Sequence, residues 1–210
     1  MTGETTGMAA LAAADPVMAG LIRRIGPMSI EKRRRGRPRG DAYGALLRSV
    51  VGQQLSVKAA ATIFDRVLAL FGGRMPTAQE LLDADTAALR GAGLSGRKVE
   101  YLRDLAEHVL SGELEVDRLP ELPDETVIAE ITAVRGLGVW TAHMFLMFHL
   151  ERPDVLPVGD LGIRNAVKAA YGLDEPPAPE ELERIAEPWR PHRSLACLYL
   201  WESLANAPDA

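Results

Sequence analysis

The stretch VRGLGVWTA (134–142) sets two glycines, Gly136 and Gly138, around Leu137 and follows them with Trp140 and Thr141. Glycine permits positive φ, and its missing Cβ lets another group approach the backbone closely. Successive N–H groups in such a turn can point at one spot, beside the N-terminus of a helix starting near Trp140, where the helix dipole also attracts an anion. With a helix on either side this is a helix–hairpin–helix. Its natural ligand is a nucleic-acid phosphate, gripped without sequence readout. A plain helix–turn–helix connection also uses glycine, so GLG alone leaves both readings open. Further on stands a lone carboxylate, Asp160, ahead of LGIRNAV. Asp is among the best helix N-caps, so its position alone is explained by capping.

Composition removes other chemistries. The single cysteine, Cys197, supplies neither a disulfide framework nor a four-cysteine zinc or iron–sulfur site. His108, His143, His149 and His192 lack metal-ligand spacing. The net charge of −5 argues against a chain coated in positive charge but leaves room for a local basic patch. No apolar run is long enough to span a bilayer, and the N-terminus lacks the basic region of a signal peptide. The expectation is a soluble, cytoplasmic, nucleoid-associated protein with no membrane partner, and a monomer.

The hairpin followed by PDVLPVGDLGIRNAV (153–167) resembles the helix–hairpin–helix DNA glycosylase superfamily, which couples the hairpin to an aspartate on the following loop. SVVGQQLSVKAA (49–60), GLSGRKVEYLRDLA (93–106) and WRPHRSLACLYLWES (189–203) narrow the likeness to the AlkA-type 3-methyladenine DNA glycosylases. It covers most of the chain from about Ala14 to Ser203.

The resemblance implies a role for each matched residue. Asp160 is the catalytic carboxylate: cleaving an N-glycosidic bond builds positive charge on the sugar, and a carboxylate near C1′ stabilises that charge and orients water. Trp201 matches the base-stacking Trp of the last helix, Trp140 is a second pocket wall, and Met144 stands where close relatives carry a tyrosine. A cationic alkylated purine would be held by such aromatic faces. Ordinary core packing is the other reading for these side chains, and the preferred one for Trp189.

Gln54 matches the position that wedges into the duplex once the target base is rotated out. Gln53 and Ser56 contact the DNA backbone or punctuate the helix. Arg97 and Lys98 read as a phosphate contact or as a solvated helix start. Gly136, Leu137, Gly138 and Thr141 complete the DNA-binding set. Where glycosylase–lyases of the superfamily carry an attacking lysine, this chain has Trp140, so the enzyme is expected to be monofunctional and to leave the abasic strand uncut. No cofactor is required, although the family's hairpin carbonyls bind a monovalent cation, Na+ or K+. Here these would belong to Thr132, Val134 and Leu137.

Such residues need helices to hold them. Apolar residues make up 47% of the chain, Ala, Leu and Arg are abundant, and no strand or fixed-period repeat stands out. Residues 1–14 read as a flexible tail. Asp15 and Pro16 open a helix that Gly26 and Pro27 stop. The basic linker EKRRRGRPRG (31–40) contains an Arg-Gly-Arg-Pro like the core of an AT-hook, against which stands a solvated connector.

A helix from Asp41 breaks at GQQLS, where Ser56 caps the next, whose apolar face is Ala59, Ile63, Val67 and Leu70. Helices follow over 78–82, 86–92 and 97–110. Asp124 caps one to about Val134, 140–150 is a buried central helix, Asp160 opens one to Tyr171, Pro179 starts another, and Ser194 caps the last.

The expected fold is all-α: two-lobed, with a glycosylase core over 15–206, lobe A about 41–150 and lobe B the N-terminal helix plus about 151–206. The chain is too short for the β-rich N-terminal domain of some relatives. The expected activity is monofunctional excision of 3-methyladenine and 7-methylguanine from double-stranded DNA, initiating base-excision repair. Two alternatives remain open. One is a same-fold enzyme for another lesion, such as hypoxanthine, uracil or 1-methyladenine. The other is a noncatalytic DNA-binding module, which needs neither Asp160 nor Trp201.

Overall fold

The computed structural model describes residues 3–30 and 41–205, and every regular element among them is helical. The basic linker 31–40 lies outside the described residues. Two compact units account for the rest: the described part of 39–145 forms one, and the described parts of 1–38 and 146–210 form the other.

In the first unit, α3 (Ala42–Gly52) starts at Asp41, whose carboxylate accepts the Gly44 amide at 2.5 Å, and α4 (Val57–Ala69) starts at Ser56, which accepts from Ala59. α5 (Ala78–Asp83) opens with a capping box in which Thr77 and Glu80 satisfy each other's backbone amides. α6 (Thr86–Gly91) and α7 (Gly96–Ser111) follow, then α8 (Asp124–Ala133). The N-cap of α8 is Pro123, not Asp124: Asp124 lies in the first turn, where its charge complements the helix dipole. α5 and α3 pack on α7 around Leu46, Leu47, Leu81, Leu102 and Leu105. α4 buries Phe64 and Val67, while Leu70 stays 45% exposed. The apolar face is thus rotated from the expected one: Leu70 sits at the helix end, where the chain turns away at Gly72 and Gly73.

α9 (Val139–Phe148) carries the chain from one unit into the other. It is buried at Thr141, Ala142 and Phe145–Met147, but its first turn is open, with Val139 and Trp140 about half exposed.

In the second unit, residues 3–14 are not a flexible tail. They form α1 (Gly3–Ala14), which packs on α2 (Pro16–Ile25) and buries Leu11 completely. The alanine-rich composition that reads as featureless is helix-favouring once a single leucine has a pocket. α10 (Leu161–Tyr171), α11 (Pro179–Ala186) and α12 (Arg193–Ala205) complete the unit, with α12 packed against α10 and α2. Ser194 does not cap α12. Its hydroxyl donates to the Arg152 carbonyl at 2.7 Å and accepts the Val155 amide at 3.0 Å, so it fastens the loop 151–159 to the helix.

Buried Asp15 ties α2 to the rest of this unit. One carboxylate oxygen accepts the amides of Val17 and Met18, and the other accepts the Tyr171 hydroxyl and the Trp189 indole. Trp189 is fully buried, a core residue as expected.

Candidate functional site

The hairpin joins α8 to α9 within the first unit. Of its two glycines, only Gly136 has positive φ, at 82°. A Cβ there would lie 2.3 Å from the Tyr101 ring, so α7 presses an aromatic face against the turn and only glycine fits. Gly138 differs. Its backbone is not left-handed, and a Cβ there would meet nothing within 4 Å. The protein itself makes no demand for glycine at 138, which leaves the approach of something else to explain it.

The turn is also held by hydrogen bonds. The Leu137 amide donates to the Val134 carbonyl at 3.1 Å, and the Arg135 amide donates to Asp104 Oδ2 at 2.7 Å. Gly138 and Val139 then lead into the open first turn of α9, where the helix dipole is positive. Thr141 is buried and Met144 half-buried on the same helix.

The GQQLS loop reaches the hairpin inside this unit: Gln53 Nε2 donates to the Gly136 carbonyl at 2.7 Å. The next residue, Gln54, is exposed and left-handed, with φ 58°. A non-glycine residue in that region stores backbone strain, which persists only where surrounding contacts enforce it. Lys98 supplies them. Its Nζ donates to the carbonyls of Val51 and Gln53, each at 2.8 Å, and so satisfies the C-terminal end of α3. Two of the three Lys98 ammonium donors thus face protein carbonyls, and partial burial lowers its pKa. Its neighbour Arg97 is exposed. Ser56 is occupied as the N-cap of α4.

In the second unit Asp160 is the N-cap of α10, so the capping reading holds, and its Oδ1 accepts the Ile163 amide at 2.8 Å. The same oxygen accepts the Trp201 indole N–H at 3.1 Å. Trp201, half-buried on α12, stacks on Phe148 with ring centroids 6.0 Å apart. The loop that delivers Asp160 is fixed to α12 at its other end as well. Asp154 accepts Arg193 Nε at 2.8 Å and Arg190 Nη1 at 2.7 Å, and Arg193 Nη2 donates to the Asp154 carbonyl at 2.7 Å. A carboxylate held at both ends of its loop and by two donors on one oxygen is preorganised rather than mobile. Cys197 is buried, and burial pushes its thiol up, so it offers no thiolate nucleophile.

Tyr101, Asp104, Phe148, Asp154 and Arg193 belong to these arrangements but escape a reading of the sequence. Each acts across a long sequence separation, which the type and local spacing of these residues do not reveal. Among the described residues no cluster of His, Cys, Asp and Glu could hold a metal ion, and no helix is long and apolar enough to cross a membrane.

An all-helical chain with a glycine hairpin opening one helix and an aspartate capping another has the architecture of the helix–hairpin–helix repair proteins. The chain belongs to the HhH-GPD superfamily of base excision DNA repair proteins, whose family model matches residues 47–191. Among curated relatives, YfjP of Bacillus subtilis is 33% identical over 170 residues. The match takes in 78% of this chain but 59% of that protein, so this chain spans well under two thirds of its length. Solved structures match over nearly the whole chain, among them two 3-methyladenine glycosylases. The 3-methyladenine DNA glycosylase Mag1 of Schizosaccharomyces pombe, in complex with abasic DNA, is 31% identical with a TM-score of 0.84, covering 98% of this chain and 99% of that one. A DNA-3-methyladenine glycosidase from Bacillus halodurans is 38% identical with the same TM-score, covering 95% and 89%.

Proposed function

We propose that this chain is a monofunctional DNA glycosylase that removes alkylated purines, 3-methyladenine and 7-methylguanine foremost, from double-stranded DNA as a monomer, in the cytoplasm and on the nucleoid. The observation that carries the reading is the anchored carboxylate of Asp160, with two hydrogen-bond donors on Oδ1 and a half-buried Trp stacked on Phe148 beside it. A fixed negative charge is what a departing purine requires as its sugar turns cationic. The names of Mag1 and the Bacillus halodurans protein support 3-methyladenine as a substrate.

In this reading the duplex backbone is gripped by Gly138, Val139 and the open first turn of α9, with Arg97 adding charge. Gln54, exposed on its strained loop, fills the space left by the rotated base. Trp201 offers an aromatic face to the cationic base beside Asp160. Asp160 stabilises the sugar cation and aligns water. The chain needs no cofactor. A monovalent cation would be held by the carbonyls of Thr132, Val134 and Leu137, drawing the turn tighter against a phosphate. The Val134 carbonyl already accepts the Leu137 amide and has one lone pair left for such an ion.

The experiment is base release from a panel of duplexes, each carrying one lesion: 3-methyladenine, 7-methylguanine, hypoxanthine, uracil or 1-methyladenine. Release of the first two is expected, and Asp160→Asn should abolish it while duplex binding persists. Release confined to the other lesions would reassign the substrate. Wild-type release by Asp160→Asn would remove the carboxylate from the mechanism.

A further inference from the structure

Gly162 sits in the first turn of α10, between Asp160 and Ile163. Its φ is not in the left-handed region, so its conformation gives no reason for glycine. Glycine inside a helix is, other things equal, the worse choice than alanine. Space gives the reason. A Cβ built on Gly162 would lie 3.0 Å from Asp160 Oδ1 and 3.4 Å from both Cδ1 and Nε1 of the Trp201 indole. The added carbon would sit alongside the indole N–H···Oδ1 hydrogen bond and press on Oδ1, the same oxygen that the Ile163 amide holds.

We propose that Gly162 is a positioning residue for base release: its missing Cβ lets the Trp201 indole and the Asp160 carboxylate meet. The inference rests on the reading of Asp160 as the catalytic carboxylate. It also gives Trp201 a second duty beyond stacking, as the donor that fixes the acid's orientation. An alanine at 162 removes no donor, acceptor or charge. It crowds the carboxylate, whose Oδ1 must give by a few tenths of an ångström while the indole is met at van der Waals distance, and misplacement of a reacting group is costly to rate.

The test uses the full chain and the variants Gly162→Ala and Trp201→Phe, the second keeping an aromatic face without the N–H. Three quantities are read: the single-turnover constant for release of 7-methylguanine, the affinity for a duplex carrying an abasic site, and the indole N–H resonance of Trp201, assigned by its loss in Trp201→Phe. Gly162→Ala is expected to slow release roughly tenfold to a hundredfold, with affinity and melting temperature not lowered and the indole resonance moved. Loss of rate without loss of stability is what an ordinary packing role would not produce. Wild-type release with an unmoved resonance overturns the proposal.

If Gly162→Ala fails to fold, Trp201→Phe decides. Slower release at saturating duplex supports the anchor, and weakened affinity with an unchanged saturating rate overturns it. Should the wild type release no methylated base, the functional reading falls by itself. The indole resonance then still decides the contact: moved in Gly162→Ala it stands, and unmoved it is refuted.

Discussion

The Lys98 ammonium lies 2.8 Å from the carbonyl oxygen of Gln53, the residue immediately before left-handed Gln54. The ammonium steadies the loop that carries the candidate wedge.

Replacing Lys98 by Met keeps most of the stem and removes the donor. The carbonyls of Val51 and Gln53 lose a charged partner, at a cost of roughly 1–3 kcal/mol for a part-buried pair. The released backbone no longer holds Gln54 at positive φ. Chemical denaturation of Lys98→Met should show that loss. Base release should fall more for a lesion in a fully paired duplex than for one opposite a gap, where no stack needs refilling. Equal loss on both substrates would detach Lys98 from wedging.

The two hairpin glycines should separate cleanly. Gly136→Ala forces a Cβ into the Tyr101 ring and an alanine into left-handed backbone. Roughly 3 kcal/mol or more of stability should be lost, read from the denaturation midpoint. Shortening Tyr101 to Ala should recover part of that loss. Gly138→Ala meets no protein atom, so stability should hold or rise slightly. Its cost should fall on duplex affinity, by crowding a phosphate drawn to the start of α9. Unchanged affinity in Gly138→Ala would move the phosphate grip elsewhere.

How far the sequence reached depends on the range of the forces involved. Caps were legible at Asp15, Ser56 and Asp160 because a cap is a contact over two or three residues. Ser194 and Asp124 show the limit of the same rule: the hydroxyl of one is claimed by a loop about forty positions away, and the other stands one place inside its helix. The exposed Leu70 and buried Phe64 show that an apolar stripe gives a face only to within one residue of rotation. Within the candidate site Asp160 and the hairpin were legible as motifs. The inward turn of Lys98, the Tyr101 wall and the Asp154–Arg193 clamp were not, since each depends on where a distant helix passes.

In the proposed monofunctional reading Trp140 takes the place of an attacking lysine, and an indole has no amine to form a Schiff base. Borohydride reduction during turnover should therefore trap no protein–DNA adduct, and the abasic strand should remain intact until heated in alkali. A covalent adduct on denaturing gels would point to a nucleophile elsewhere in the chain.

Asp15 supplies the prediction for pH. Burial by itself would raise its carboxyl, but the hydrogen bonds from Tyr171 and Trp189 and from the backbone of Met18 and Val17 outweigh burial and hold it below the ordinary value of 3.8. A carboxylate depressed in the folded state contributes stability that is fully present above its unfolded pKa and is lost as pH falls through the folded one. Asp15→Asn can still cap α2, because an amide oxygen accepts from Val17 and Met18. Its NH2 group cannot accept the Tyr171 hydroxyl or the Trp189 indole. The variant should be less stable at pH 7 by about 2–3 kcal/mol, the cost of two buried donors losing a charged acceptor. The gap should hold down to about pH 5, begin to narrow at about pH 4 as the unfolded chain takes up its proton, and close only below the depressed folded pKa, where the folded wild type is protonated too. Denaturant unfolding of both proteins at pH 7 and pH 3 checks this. A gap that stayed constant or widened on acidification would mean the carboxylate is not the charged hub that joins α2 to Tyr171 and Trp189.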